Sequence, residues 1–181
     1  MKQNWLEISI YQAGSGNKNV GIVGIGGLGQ MGVRIAKAMG NSVTAISTSP
    51  SKEAAAKEIG ADNFVVSTNP QSIKAASGSL DLVINTVSAN HDINTYLPLL
   101  AAGGVIVQIG IAFEPHNVNV MLLQLKKISI AGSLVGGLPE TQDCIDFCHK
   151  HSIIPKIKLV NSRDLDDVYK ALSGKNDSIT R

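Results

Sequence analysis

The chain has 181 residues, of which 44% are hydrophobic, 17% charged and only 4% aromatic. That composition excludes a disordered chain and fits one domain that buries roughly two-thirds of its surface on folding. A net charge of +2 without a Lys/Arg run excludes an electrostatic nucleic-acid binder, and no window reaches the ~18 apolar residues of a membrane span.

Residues 1–17 are weakly patterned and run into a turn at Gly14-Ser15-Gly16-Asn17-Lys18. From residue 18 to 181 the chain reads as one domain. Val20 to Ile25 is a short apolar run ending in glycines, which predicts a buried strand. Leu28 to Met39 carries Met31, Ile35, Ala36 and Met39 at helical spacing, and Gly40 stops it. Strand-like Val43–Ser47, helical Ser51–Ile59, strand-like Asn63–Ser67 and a short helix Pro70–Ser77 follow. Leu80–Val87 predicts a strand and Asp92–Ala101 a helix. Gly103-Gly104 predicts a turn into strand Val105–Ile109. Val118–Leu125 reads as helix, Lys127–Leu134 as a sixth strand and Pro139–His151 as a helix with proline in its first turn. Ile157–Val160 and Leu165–Leu172 add a short strand and helix as a C-terminal appendage. Six strands alternating with helices, rich in Gly, Val, Ile and Ala, predict an α/β fold with a doubly wound parallel sheet, the Rossmann architecture.

The motif that carries chemistry is Gly24-Ile25-Gly26-Gly27-Leu28-Gly29, a G-x-G-x-x-G match with an added glycine. Gly24 allows the tight turn out of the strand, Gly26 lets backbone approach a pyrophosphate, and Gly29 lets helix and strand pack closely. The pyrophosphate would sit at the positive N-terminal end of the following helix. Alone the motif is a weak signal; a strand before it, a helix after it and a second strand completing a βαβ unit make it a cofactor-binding prediction.

The end of the second strand selects between cofactors. An NAD site places a carboxylate about 20 residues after the motif to bond the ribose 2′-OH. This chain has Ser47-Thr48-Ser49-Pro50-Ser51-Lys52 there instead. Hydroxyls and a lysine suit a 2′-phosphate that a carboxylate would repel, so NADP(H) is expected. The same stretch also reads as a Ser/Thr helix cap, which is compatible with holding a phosphate.

These residues, with Ala36-Lys37-Ala38-Met39-Gly40, Ile59-Gly60-Ala61-Asp62, Leu80 to Val87, Ile130-Ala131-Gly132-Ser133, Glu140-Thr141 and Phe147-Cys148, make the chain resemble the coenzyme domain of zinc-type, medium-chain alcohol dehydrogenases. Within them it looks most like the cinnamyl alcohol dehydrogenase group, from about Lys18 onward. The resemblance implies that the glycine loop with Leu28 holds the pyrophosphate. It implies that Ser47, Thr48, Ser49 and Lys52 form the NADP-selecting stretch and that Thr86 and Val87 line the cleft. It further implies that Ile109, Gly110, Ile111, Ser133 and Leu134 lie towards the nicotinamide, and that Arg181 matches a phosphate-contacting arginine. All but Arg181 fall at predicted carboxyl ends of strands, where open α/β sheets bind ligands. In the complete enzyme, zinc would act as Lewis acid while hydride passes between NADP(H) and an alcohol or aldehyde. Family members pair through the sixth strand, so a homodimer is implied.

The family's catalytic zinc ligands and its structural cluster of four cysteines have no counterpart in this sequence. The chain therefore reads as a coenzyme domain without its zinc-binding catalytic half, with no catalytic or metal-binding residue of its own and no dehydrogenase activity expected alone. The alternative is a non-catalytic NADP-binding or redox-sensing interaction module. A methyltransferase-like domain fits less well, because Ser47 to Lys52 offers no acid for ribose hydroxyls.

Other candidates read as structure. Cys144, Cys148 and His151 share a helix face but lack a fourth zinc ligand and zinc-finger spacing. Two cysteines make no disulfide scaffold, and residues 1–10 hold no signal-like stretch, so a cytoplasmic setting is expected. His91 could face the cofactor, though Asn90 or Asp92 there reads as a helix cap; His116 reads as loop and Asp166-Asp167 as a solvated face. Tyr11, Tyr96 and Tyr169 each lack a lysine four residues on, which excludes the short-chain dehydrogenase pair. Gln30 after Gly29 excludes a P-loop.

Overall fold

The computed structural model describes residues 16–173. Its centre is a single six-stranded sheet: β1 (Asn19–Val23), β2 (Ser42–Ser47), β3 (Asn63–Val66), β4 (Leu80–Asn85), β5 (Leu100–Gln108) and β6 (Ser129–Gly132). The spatial order is β3-β2-β1-β4-β5-β6, and every neighbouring pair is parallel. The helices are α1 (Gly27–Ala38), α2 (Glu53–Glu58), α3 (Pro70–Ala75), α4 (Val120–Lys126), α5 (Leu138–Lys150) and α6 (Leu165–Ser173). The doubly wound α/β fold is thus present, and its strand order reverses between β1 and β4.

The core explains the apolar runs. A sheet covered on both faces needs apolar side chains at successive positions. Along β4, Leu82 and Ile84 join the cluster with Val20, Ile22, Val33, Ala36 and Val43, while Val83 joins the opposite cluster with Ile46, Val65, Leu97, Leu100 and Ile106. Gly21 lets the layers close on β1, where a Cβ would come 2.7 Å from Leu80 Cδ1. Helix α1 ends where predicted, with Gly40 in the left-handed region at φ +82°. Beyond it, buried Asn41 donates to Ala36 O at 3.1 Å and accepts from Lys18 N at 3.2 Å, pinning the entry to β1.

The structure corrects four local expectations. Asp92–Ala101 is not an α-helix but two 3-10 turns, Ile93–Thr95 and Leu97–Leu99, followed directly by β5. Pro98 removes an amide donor there, and Leu97, Leu99 and Leu100 are all fully buried, which one helical stripe cannot achieve. Gly103-Gly104 is not a turn between elements; β5 runs through it with a register irregularity opposite Leu80/Leu82, and Gly103 takes φ +78°. Strand β6 is shorter than Lys127–Leu134, because Lys127 sits in the left-handed region at φ 55° as the cap of α4. Ile157–Val160 belongs to no strand: Leu159 is 89% exposed, and no neighbour offers these residues a ladder. The appendage's helix is present as α6. Arg181 lies outside the described residues.

Candidate functional site

The carboxyl ends of β1 and β4 meet at the point of order reversal, and the glycine loop lies over it. Gly24 leaves β1 at φ +85°, and its N–H donates to Ile46 O at 3.0 Å. A Cβ on Gly24 would meet Val87 Cγ2 at 2.6 Å, so the loop rests directly on the β4 turn. Gly26 is the N-cap of α1 in extended conformation, with no side-chain cap and no acidic residue in the first turn. The N-terminus of this 12-residue helix is therefore left with its positive end unneutralised by the chain itself. Gly27 and Leu28 open the helix, and Leu28 is 60% exposed.

At the end of β2, Ser47 is buried and its Oγ accepts the Ser49 N–H at 3.2 Å. Ser49 precedes the 3-10 turn Pro50–Lys52 but does not cap it: its hydroxyl lies 2.8 Å from Ser51 Oγ. The simple cap reading thus fails for Ser49, whose hydroxyl is at the surface. Thr48 is exposed and its carbonyl accepts from Thr68 Oγ1 at 3.2 Å. Lys52 enters no described ion pair. The adjacent acid, Glu53, is drawn to Lys57 at 2.7 Å along α2.

Beyond β4, the Thr86 hydroxyl lies 2.8 Å from Val23 O and 3.0 Å from Gly24 O, bridging the reversal point. After β5, Ile109 N and Gly110 N both donate to Asn85 O, at 2.9 and 3.0 Å. A Cβ on Gly110 would fall 2.2 Å from Val87 O, so the turns after β4 and β5 are in backbone contact. Ser133, after β6, donates its N–H to Gln108 O at 3.0 Å.

Leu28, Thr86, Ile109, Ile111 and Leu134 together line a cavity of about 310 Å³ that runs along α1 to Met39. Its other walls include Met31, Ile35 and Ile84, and only Thr86 and Ser88 bring hydroxyls. It suits an apolar surface and not a phosphate. Ser47, Thr48, Ser49 and Lys52 lie outside it, as do Val87, Gly110 and Ser133.

Sequence reasoning missed the polar knot beneath these turns. Asn85, fully buried, donates Nδ2 to Gln108 Oε1 at 2.7 Å and lies 2.8 Å from His91 Nε2. The signal for it in the sequence is a polar residue, Asn85, directly after the apolar run Leu82-Val83-Ile84. Asp92 does act as a cap, accepting from Asn94 N at 3.0 Å, and His116 stacks edge-on to His91 at 5.4 Å between centroids. Cys144 and Cys148 are free thiols on α5; burial, then the neighbouring Cys148, push the Cys144 thiol up. Among the described residues no three or more His, Cys, Asp or Glu side chains are grouped to hold a metal ion, and no helix is long and apolar enough to cross a membrane.

Comparison with known proteins places this architecture. The profile of zinc-binding dehydrogenases matches residues 27–150, more than half of the chain. The chain belongs to the zinc-binding dehydrogenase family. It is 42% identical over 163 residues to aldehyde reductase YahK of Escherichia coli, covering 90% of this chain and 46% of that protein. It is 38% identical over 160 residues to NADP-dependent alcohol dehydrogenase C 1 of Mycolicibacterium smegmatis, covering 88% and 46%. Among solved structures, a cinnamyl alcohol dehydrogenase of Sorghum bicolor (SbCAD4) superposes with a TM-score of 0.87 at 35% identity, covering 92% of this chain and 48% of that one. The CAD of Helicobacter pylori, solved in complex with NADP(H), superposes with a TM-score of 0.78 at 32% identity and the same coverage. The chain thus spans about half the length of the relatives it matches, and it corresponds to the coenzyme-binding region of this dehydrogenase family.

Proposed function

We propose that this chain is an NADP(H)-binding domain that, with a zinc-binding catalytic domain, transfers hydride between NADP(H) and an alcohol or aldehyde. The observation that carries the cofactor choice is the end of β2. It offers the Ser49 and Thr48 hydroxyls and Lys52, which makes no ion pair among the described residues, while the adjacent carboxylate, Glu53, pairs with Lys57. Three features support the fit of a dinucleotide: glycine backbone at Gly24, Gly26, Gly27 and Gly29, an α1 N-terminus without its own cap or acid, and a cleft at the strand-order reversal. The chain's residues divide the work. Gly26, Gly27 and Leu28 present backbone N–H groups to the pyrophosphate, and Ser47, Thr48, Ser49 and Lys52 hold the 2′-phosphate. Thr86, Val87, Ile109, Gly110, Ile111, Ser133 and Leu134 form the wall that orients the nicotinamide. NADP(H) itself supplies or accepts the hydride.

Titration of the pure chain with NADPH and, separately, NADH tests this reading. Tighter binding of NADPH is the expected result; equal binding, or tighter NADH, would overturn the 2′-phosphate assignment. Residues 18–181 act as the coenzyme unit in this reading, and a cytoplasmic setting is proposed with it.

A second reading is an NADP-binding or redox-sensing module without catalysis, which needs the same cofactor site at the ends of β1, β2 and β4. Under both readings the chain alone reduces no aldehyde with NADPH, and sustained turnover by the pure chain would overturn both. We also propose pairing of two copies through β6, the sheet edge, where Ile130 is 37% exposed.

A further inference from the structure

We propose that Asn85 and His91 are positioning residues for the dinucleotide, and that only neutral His91 can hold the position. This rests on the cofactor-binding reading above. Asn85 is the last residue of β4, in register with Val23 of β1 and Gln108 of β5, so it stands under the floor of the cleft at the order reversal. Its main-chain oxygen accepts from both Ile109 and Gly110. Its side-chain Oδ1 accepts the Val87 N–H at 3.2 Å, which fixes which way the amide faces. Both Nδ2 hydrogens then point away from Val87, one to Gln108 Oε1 and one to His91 Nε2.

The tautomer of His91 follows from its partners. His91 Nδ1 lies 2.7 Å from Ala89 O, and a carbonyl only accepts, so Nδ1 carries the hydrogen. Nε2 is left with its lone pair facing the Asn85 N–H. A second proton on the ring would turn Nε2 into a donor aimed at a donor. Rotating the Asn85 amide does not relieve this, because its NH2 would then face the Val87 N–H. Protonation therefore opens the Asn85–His91 contact.

The consequence reaches the cleft through Val87. Val87 is the shared neighbour: its Cγ2 fills the space that a Gly24 Cβ would need, and its carbonyl lies where a Gly110 Cβ would be. Displacing the Thr86–Ala89 turn thus disturbs the glycine loop and the β5 turn together. The other titratable groups near His91 are Asp92, Glu114, Tyr96 and His116. Asp92 accepts from Asn94, and Glu114 accepts from Asn90. Tyr96 lies 5.8 Å away between ring centroids, its phenol pushed up mainly by burial, and His116 lies at 5.4 Å.

The test is NADPH affinity from about pH 8 to about pH 5.5, read against variants so that titration of the 2′-phosphate itself cancels. Wild type should lose about five- to tenfold more affinity on acidification than His91→Gln, whose uncharged side chain offers an acceptor without a titrating ring. Asn85→Asp should reverse the trend and keep binding at low pH, because a carboxylate accepts from protonated His91. Independently of any ligand, imidazole nitrogen NMR of the chain should show His91 as the Nδ1–H tautomer at neutral pH. Identical pH profiles for wild type and His91→Gln, or an Nε2–H tautomer, would overturn the proposal and leave cofactor binding standing. Failure to bind either dinucleotide at any pH, with the Nδ1–H tautomer observed, would instead overturn the reading on which it rests.

Discussion

Gly29 and Gly24 touch backbone to backbone: a Cβ on Gly29 would fall 1.8 Å from the Gly24 carbonyl oxygen. No rotamer relieves such a clash, because both partners are main chain. The first turn of α1 and the loop that leaves β1 are consequently packed main chain against main chain.

Gly29→Ala must push α1 away from that loop. The expected cost is about 1–3 kcal/mol of folding stability, typical of overpacking. Dinucleotide binding should be lost as well, since the helix N-terminus moves. Denaturant unfolding and NADPH titration of the same variant check both parts. A variant of unchanged stability would show that the close approach is not maintained in solution.

Lys52→Ala should separate the cofactors. Removing a charge-assisted contact to a 2′-phosphate is expected to weaken NADPH binding by about tenfold or more and leave NADH binding unchanged. Folding stability should stay within about 0.5 kcal/mol, because Lys52 makes no described ion pair. Parallel titrations and a thermal melt decide this.

Asp62 makes stability depend on acid. It accepts from Lys37 Nζ of α1 at 2.5 Å and from Val43 N of β2 at 2.8 Å. The Lys37 bond first, then the Val43 N–H, hold its carboxyl below the ordinary 3.8. A lowered folded-state value stabilises the fold above about pH 4 and is lost as pH falls through that value. The pair is partly solvated, so its share is about 1 kcal/mol or less. Asp62→Asn should therefore lower stability near neutrality and flatten the slope between about pH 5 and pH 3, as urea unfolding across that range would reveal.

Edge pairing through β6 has a directional test. Ser133 N bonds inward to Gln108, and donors alternate along a strand, so the Ile130 N–H points to the free edge. Ile130→Pro should remove that donor without breaking a bond to β5. Sedimentation should find dimers for wild type and monomers for the variant. A monomeric wild type at micromolar concentration would discard the pairing.

How much of this was legible beforehand differs by element. Val20–Val23 and Leu80–Asn85 can be read as buried strands because a sheet covered on both faces demands apolar residues at successive positions, a local pattern that Asp81 interrupts only near the start of β4. Gly24-x-Gly26-x-x-Gly29 could be read because its glycines answer to steric needs one turn apart. The segment around Pro98 predicts a helix from its sequence, because an apolar segment buried on all sides has the same composition as one buried on a single face. The strand expected over Ile157–Val160 shows the converse: β-branched residues do not make a strand without a neighbour to bond.

From the sequence alone came the alternating α/β order, the glycine loop and the missing carboxylate after β2, each a matter of residues near one another in the chain. Only the tertiary structure decided that Asn85, His91 and Gln108 share hydrogen bonds, that Val87 fills the space beside both Gly24 and Gly110, and that Glu53 is turned from Lys52 to Lys57. Most of those contacts join strand ends and turns far apart in sequence. Hydrogen-bond partners and close approaches depend on where the sheet puts them, and no local pattern of residues encodes that.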